Sequence, residues 1–433
     1  MLTPIAPPGG DRAFISTRQV AAVVVGNALE FYDFLTFAFF AIQIGDTFFP
    51  SESQGTRLLF TLATFGVGFL TRPLGALVIG GLGDRRGRKP AMLLSFSLMG
   101  LAMTGLALTP SYAAIGVAAP ILVVLFRLVQ GFALGGEIGP TTAYLVEAAP
   151  VHRRGFYVSL QSASADGAVL VAGLVGVLLA RWMEPAALTA WGWRVAIILG
   201  AAIVPVGLLM RRTLVETLDL STAREPVTHD PARRGLVRVG VLGVLLLASA
   251  TTANYVMNYM ATYANATLHM EASVAFGATA IFGLCSVAID LVSGWLSDQV
   301  GRKPVMLTAW VLLLCAVLPA FSFIARMRTT GALYGATALM SVLLAFGAAP
   351  IMTAITESFP PRVRSRAFAI TYALAVALFG GTTQFVVTWL IDVTGNPLSP
   401  AWYIVGALAV GVAAMVTLEE TAPHRSAARA SEA

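Results

Sequence analysis

Charge is scarce in this chain. Asp, Glu, Lys and Arg together make up 12% of the residues, about half the roughly 25% of a soluble domain, too few to clothe a globule of this size in water. Cysteine is scarcer still. Cys285 and Cys315 stand in separate apolar runs, which excludes a disulfide framework and leads to the expectation of two buried free thiols. The four histidines, His152, His229, His269 and His424, are scattered over predicted loops and the C-terminal tail, so no metal-ligand spacing forms. A nucleophile with a base beside it is missing, as is a glycine loop built to hold phosphates. The chain therefore reads as no enzyme, with no cofactor and no metal. Residues 1–18 carry no short apolar core followed by a small-residue cleavage site, so the expectation is that the first apolar run itself directs insertion.

What is abundant is apolar surface, 57% of all residues, gathered into runs of about 20 residues, the length that spans a bilayer as a helix. Six runs begin at Val20, Leu58, Ala91, Ala113, Phe156 and Trp191, and six more at Val239, Val274, Val305, Leu333, Phe368 and Trp402. An all-α integral membrane protein of twelve transmembrane helices is expected. The one long polar stretch, with Pro226 and Pro231 among its charges, separates the two sets. The predicted organisation is a tail over 1–19, a bundle over 20–212, a linker over 213–238, a second bundle over 239–418 and a tail over 419–433. The formal net charge of +6 does not point to nucleic acid, because the cations sit in short loops and form no stripe. Placing both termini in the cytoplasm puts most Lys and Arg inside, leaving Arg57, Arg181, Arg194, Arg326 and Arg328 outside, as the positive-inside rule asks.

The two sets are copies. Gly80-Gly-Leu-Gly-Asp84-Arg85-Arg86-Gly87-Arg88-Lys89-Pro90 returns as Gly294-Trp-Leu-Ser-Asp298-Gln-Val-Gly301-Arg302-Lys303-Pro304, and Glu147-Ala-Ala-Pro150 returns as Glu357-Ser-Phe-Pro360. The offsets, 214 and 210 residues, are close to half of 433, so two pseudo-symmetric six-helix bundles are expected. Each copy ends an apolar run on Gly and Asp, turns on Gly, and restarts after cations and Pro. The reading is a gate in which Asp pairs with Arg or caps a neighbouring helix in only one of two packings. Its residues are Gly80, Asp84, Arg85, Gly87 and Arg88 in one copy and Asp298, Gly301 and Arg302 in the other. A bare topology-fixing loop is the duller alternative.

Ionisable residues inside spans are functional candidates, since each costs at least about 2.5 kcal/mol at mid-span. Here they are Glu30, Asp33, Arg72, Arg127, Glu137, Asp166 and Asp290. Five acids against two bases suggest that some acids hold protons part of the time, which proton coupling requires. Asn27, Glu30 and Asp33 follow at i, i+3 spacing, a polar stripe that is either packing or a proton and substrate site; Glu30, Asp33 and Glu137 are the proton-coupling candidates. Arg127 suits an anionic substrate, because a guanidinium grips a carboxylate bidentately. A permanent ion pair with Glu30, Asp33 or Glu137 is the alternative. Arg72-Pro73 breaks the second span, with a substrate or a structural role open. Gln130, Gln161, Ser164, Tyr255, Asn258 and Tyr259 complete the candidate lining, each alone as readily helix glue as ligand. Gly131, Gly135 and Gly139 form a small-residue face for close helix contact.

The duplicated Gly-x-Leu-x-Asp-Arg-x-Gly-Arg-Lys pattern resembles the major facilitator superfamily. Further stretches narrow the resemblance to its metabolite:proton symporters, and within them to the citrate-proton branch. These include Gly26-Asn27 to Asp33, Thr47-Phe-Phe-Pro50, Arg72-Pro73-Leu-Gly75, Arg127-Leu-Val-Gln130-Gly131-Phe132, Gly155-Phe-Tyr157, Gln161-Ser-Ala-Ser164, Trp191-Gly-Trp-Arg194 and Phe379-Gly-Gly381. The resemblance implies proton-coupled uptake of a small carboxylate, citrate or a related tricarboxylate, by alternating access across the inner membrane, with a monomer in the lipid bilayer and no nucleic acid. A dicarboxylate, a monocarboxylate or a zwitterion such as betaine is the alternative cargo; a membrane sensor without transport is a more distant one. The sequence departs from the pattern at Asp166 and Asp290, where uncharged residues are expected, and at Asn254, Asn258 and Gln384. Extra acids oppose a polyanion unless they are protonated.

Overall fold

An apolar run in lipid can satisfy its backbone by hydrogen-bonding within one helix, and among the described residues every regular element is helical. The computed structural model describes residues 17–86, 88–135, 142, 145, 146, 149–212, 233–360 and 364–422. In the first half, α1 (Thr17–Phe39) and α2 (Ala41–Phe48) form one span bent by 63° at Phe40. The second span divides at Thr71 into α3 (Gln54–Leu70) and α4 (Arg72–Arg86). The cause is Pro73, which has no N–H to return to the preceding turn and crowds its carbonyl. Then come α5 (Arg88–Leu108), α6 (Ala118–Leu134), α7 (Arg154–Trp182) and α8 (Trp193–Arg212).

The second half repeats the plan. It holds α9 (Arg233–Asn258), α10 (Ala272–Val300), α11 (Arg302–Met327), α12 (Thr330–Ser358), α13 (Arg364–Ala375), α14 (Gly381–Thr394) and α15 (Ser399–Thr417). One wide turn, Val376–Gly380, joins α13 to α14 as a single span. Among the described residues eight helices are long and apolar enough to cross a membrane, and the bent pair adds one. Three shorter apolar helices, Leu93–Leu108, Ala118–Leu134 and Pro185–Ala201, fall on the third, fourth and sixth predicted runs. The twelve-span architecture follows.

Small residues set how closely the helices meet. A Cβ at Gly131 would collide with the carbonyl of Gly68, and one at Gly135 with that of Arg72, so α6 lies at backbone distance from α3 and α4, as the glycine spacing predicts. Gly139 lies outside the described residues. Outward-facing side chains are apolar: Leu77 is 72% exposed and Leu101 67%, which suits acyl chains. Trp182, Trp191 and Trp402 are exposed at the end remote from the duplicated motif, the headgroup level that indole rings prefer. Both cysteines are free, and Cys315 is exposed rather than buried. It lies on a lipid-facing flank, where a small apolar thiol is as well placed as in a core.

Candidate functional site

The two halves enclose a cavity of about 140 Å³. In liquid-water terms that is room for about five molecules, well under the roughly 300 Å³ of a drug-sized pocket. From the first half α1 supplies Asn27, and α7 supplies Gln161, Ser162 and Asp166. From the second, α9 supplies Thr251, Asn254 and Tyr255, α10 Asp290, and α13 Tyr372. Of the predicted lining residues, Asn27, Gln161 and Tyr255 face this space; Arg72, Arg127, Gln130, Ser164, Asn258 and Tyr259 do not.

Arg72 and Arg127 lie behind the cavity wall, 4% and 0% exposed. The ring of Phe34 lies between them, 4.4 Å from the Arg72 guanidinium carbon and 4.3 Å from that of Arg127. Phe69 covers Arg72 at 4.2 Å, while Phe37 and Phe65 flank Arg127 at 4.7 and 5.0 Å. Arg127 donates from Nη1 to Gln130 Oε1 at 2.6 Å and, more weakly, from Nη2 to the Phe65 carbonyl at 3.4 Å. Its Nε, and the Nε and Nη2 of Arg72, have no hydrogen-bond acceptor. Among the described residues no carboxylate lies within ion-pair distance of either guanidinium. The permanent pair of Arg127 with Glu30 or Asp33 is therefore not formed, and Glu137 lies outside the described residues.

Burying two cations costs several kcal/mol each, and a desolvated aromatic face returns about 2 kcal/mol. An incoming carboxylate would supply the missing acceptors and charge together. Tyr255 stands between cavity and arginines: it lines the cavity, faces Arg72 with its hydroxyl, and touches Phe65 and Phe69 with its ring.

The stripe of the first span divides by role. Asn27 donates to the Gln161 carbonyl at 3.1 Å and to Ser164 Oγ at 2.8 Å, while Thr142 donates to Gln161 Oε1 at 2.8 Å. Those bonds lock α1 to α7. Glu30 and Asp33 are buried, 4% and 5% exposed, and Asp33 sets its carboxylate against Gly200 of α8. In the second half, Asn258 donates back to Asn254 at 2.7 Å, and Tyr259 accepts from Thr388 at 2.9 Å.

At the motif end the second copy joins the halves. Asp298 pairs with Arg302 at 2.6 Å and accepts from the backbone N–H groups of Gly155 and Phe156, both at 2.9 Å, at the N-terminus of α7. Arg302 also meets Glu357 at 3.4 Å. Gly301 turns the chain between α10 and α11 at φ +114°, a conformation an L side chain rarely adopts. The two partners read as alternatives in the sequence, Arg and helix terminus, are thus held at once. Glu420 was not foreseen: it accepts from the N–H groups of Arg302 and Lys303 at 2.9 and 3.0 Å, capping α11. The contacts of Gly80, Asp84, Arg85, Gly87 and Arg88 lie outside the described residues.

The described family model "Sugar (and other) transporter" matches residues 19–218 and again 230–425. A citrate-proton symporter of Klebsiella pneumoniae is 35% identical, the match covering 95% of this chain and 92% of that one. An alpha-ketoglutarate permease of Escherichia coli (strain K12) is 34% identical, covering 93% of each. Among solved structures, a crystal structure of a D-xylose-proton symporter superposes with a TM-score of 0.76 at 19% identity, over 94% of this chain and 98% of that one. Two half-length matches, twelve spans and a duplicated loop motif agree: the chain belongs to the sugar (and other) transporter family of the major facilitator superfamily.

Proposed function

We propose that this protein is a secondary transporter that carries a small carboxylate, citrate or a related di- or tricarboxylate, into the cell together with protons. One observation carries the cargo class: two buried guanidiniums with unused N–H donors and, among the described residues, no carboxylate within ion-pair distance. A polycarboxylate offers the charge and acceptors that this pair lacks, and Arg forks bind carboxylates bidentately. Two relatives whose names specify citrate and alpha-ketoglutarate support the same class. Arg127 and Arg72 would bind the anion once Tyr255 swings aside, and Glu30 or Asp33 would take a proton, with Glu137 a further candidate. Asn27 and Gln161 would line the path, and the Asp298–Arg302 cluster would hold one end shut. The bundles over 20–212 and 239–418 would rock about the central site as a monomer in the inner membrane, with the tails and the 213–238 linker in the cytoplasm.

A second reading keeps the transport and changes the cargo to a zwitterion such as a betaine. Asp166 and Asp290 on the cavity wall favour it, because an ammonium group suits them. The deciding experiment is uptake of radiolabelled citrate into proteoliposomes with and without an inward proton gradient, against a panel of unlabelled carboxylates and betaines. Gradient-driven accumulation suppressed by carboxylates supports the first reading. Suppression by betaines alone supports the second, and accumulation of nothing under any gradient removes both.

A further inference from the structure

Asp166 and Asp290 have no part in the carboxylate mechanism above, yet they sit on the joint between the halves, where α7 meets α10. Asp166 projects from α7 and Asp290 from α10, and both open onto the central cavity. Their carboxyl groups face each other across the joint. Asp290 is 1% exposed, and neither of its oxygens receives an N–H or O–H from any other described residue. The hydroxyl of Ser286, also 1% exposed and otherwise without a partner, faces Asp166 from one turn away on α10. Among the described residues no Lys, Arg or His lines the cavity. The described titratable groups that do face it from the neighbouring helices are Tyr255 of α9 and Tyr372 of α13; the described residues of α1 and α12 contribute none to the lining.

Two carboxylates facing each other in a low-dielectric site repel, and Ser286 offers its hydroxyl to Asp166 alone, whereas a single proton between them makes an O–H donor and a charge-assisted acceptor. Here the contact cannot relax by a small shift. A Cβ at Gly283 would collide with the Leu170 amide nitrogen, so α7 and α10 touch at backbone distance beside the pair.

We infer that Asp166 and Asp290 form a proton-binding site, separate from Glu30 and Asp33, whose shared proton is held while α7 and α10 are together and released when they part. The step is simple. A proton from the aqueous phase adds to one carboxylate oxygen, and the O–H so formed is accepted by the opposing carboxylate. When α7 and α10 separate, water solvates both groups and the same proton returns to it, leaving two carboxylates. The inference rests on the proton-symport reading for its consequence, though the proton site itself does not.

Two measurements on the full-length protein test it. Infrared difference spectra of the purified protein across pH should show the C=O band of a protonated carboxyl, lost in both Asp166→Asn and Asp290→Asn. A wild-type band untouched by either substitution overturns the site. In proteoliposomes with the membrane potential clamped to zero, a gradient of about one pH unit supports about tenfold accumulation for each proton carried. The Asp166→Asn/Asp290→Asn double variant should therefore plateau about tenfold lower than wild type, and an equal plateau overturns its part in coupling. If wild type accumulates no cargo at all, the symport reading fails, and the infrared result still decides the pair.

Discussion

Replacing Asp298 with Ala removes three contacts at once. The carboxylate is 5% exposed and holds Arg302 at 2.6 Å and the N–H groups of Gly155 and Phe156 at 2.9 Å. Breaking a buried pair by deleting one member costs about 3 to 5 kcal/mol, because the other charge stays buried. Arg302 keeps Glu357, but at 3.4 Å and off a single helix, so the lower figure is the safer one. The Gly155 and Phe156 contacts cross between halves, and their loss falls on the closed arrangement alone. Two hydrogen bonds to a charged group are worth about 1.5 kcal/mol or more each, so their loss is a bias of about 3 kcal/mol, roughly two powers of ten, toward the arrangement in which the motif end is parted. Val151 and Gln299 are exposed on opposite sides of this joint. Spin labels there, on a background with Cys285 and Cys315 replaced by Ser, report the separation by double electron–electron resonance. In wild type a short distance should dominate, and in Asp298→Ala a longer one should appear and take over. An unchanged distribution would refute the assignment of this cluster as what holds that end shut.

Arg127→Ala should abolish carboxylate binding by calorimetry, and Arg127→Lys should fail to restore it, because an ammonium lacks the fork that reaches Gln130 and a ligand together; binding retained in Arg127→Ala would contradict the proposed site. Tyr255→Phe removes the hydroxyl facing Arg72, a loss of about 1 kcal/mol, and should change the apparent KM several-fold with little effect on protein yield. Gly131→Ala drives a Cβ into the Gly68 carbonyl and should cost about 1 to 3 kcal/mol, seen as a lower melting temperature in detergent. Glu420→Ala uncaps α11 at Arg302 and Lys303 and should cost about 1 kcal/mol, with a smaller shift in the Val151–Gln299 distance than Asp298→Ala gives.

The span pattern was legible in the sequence because lipid imposes it locally: each run must satisfy its own backbone, and the duplication could be counted from the positions of Asp84 and Asp298. That the fourth span would pack closely through Gly131 and Gly135 was legible as well, but not that α3 and α4 would be its partners. What the sequence left open was decided by residues far apart in the chain. The surroundings of Arg127 are an example. Gln130, three residues on, is a neighbour that helical periodicity implies, but Phe34, Phe37 and Phe65 reach the guanidinium from two other helices. Nothing in their spacing sets them apart from ordinary core aromatics. Asp166 and Asp290 stood out as misplaced charges, yet that they face each other depends on the pairing of α7 with α10. The α7 N-terminus as donor to Asp298 likewise follows only from that pairing.

The backbone contact at Gly283 has a mechanical meaning. Helix α10 runs past it for about 15 residues to Asp298, about 22 Å at 1.5 Å per residue, and in the other direction reaches Phe276, which packs against Gly176. A joint too crowded to slide can still tilt, and with Gly283 as the pivot α10 would be a lever with an arm on each side. A tilt of about 10° over such an arm moves its tip by about 4 Å, more than enough to pull the 2.9 Å bonds of Asp298 apart and let in a water or a carboxylate. The same tilt presses Phe276 harder against Gly176. On this geometry the two mouths are opposite ends of one seesaw, and a leak through both at once would require the fulcrum itself to fail.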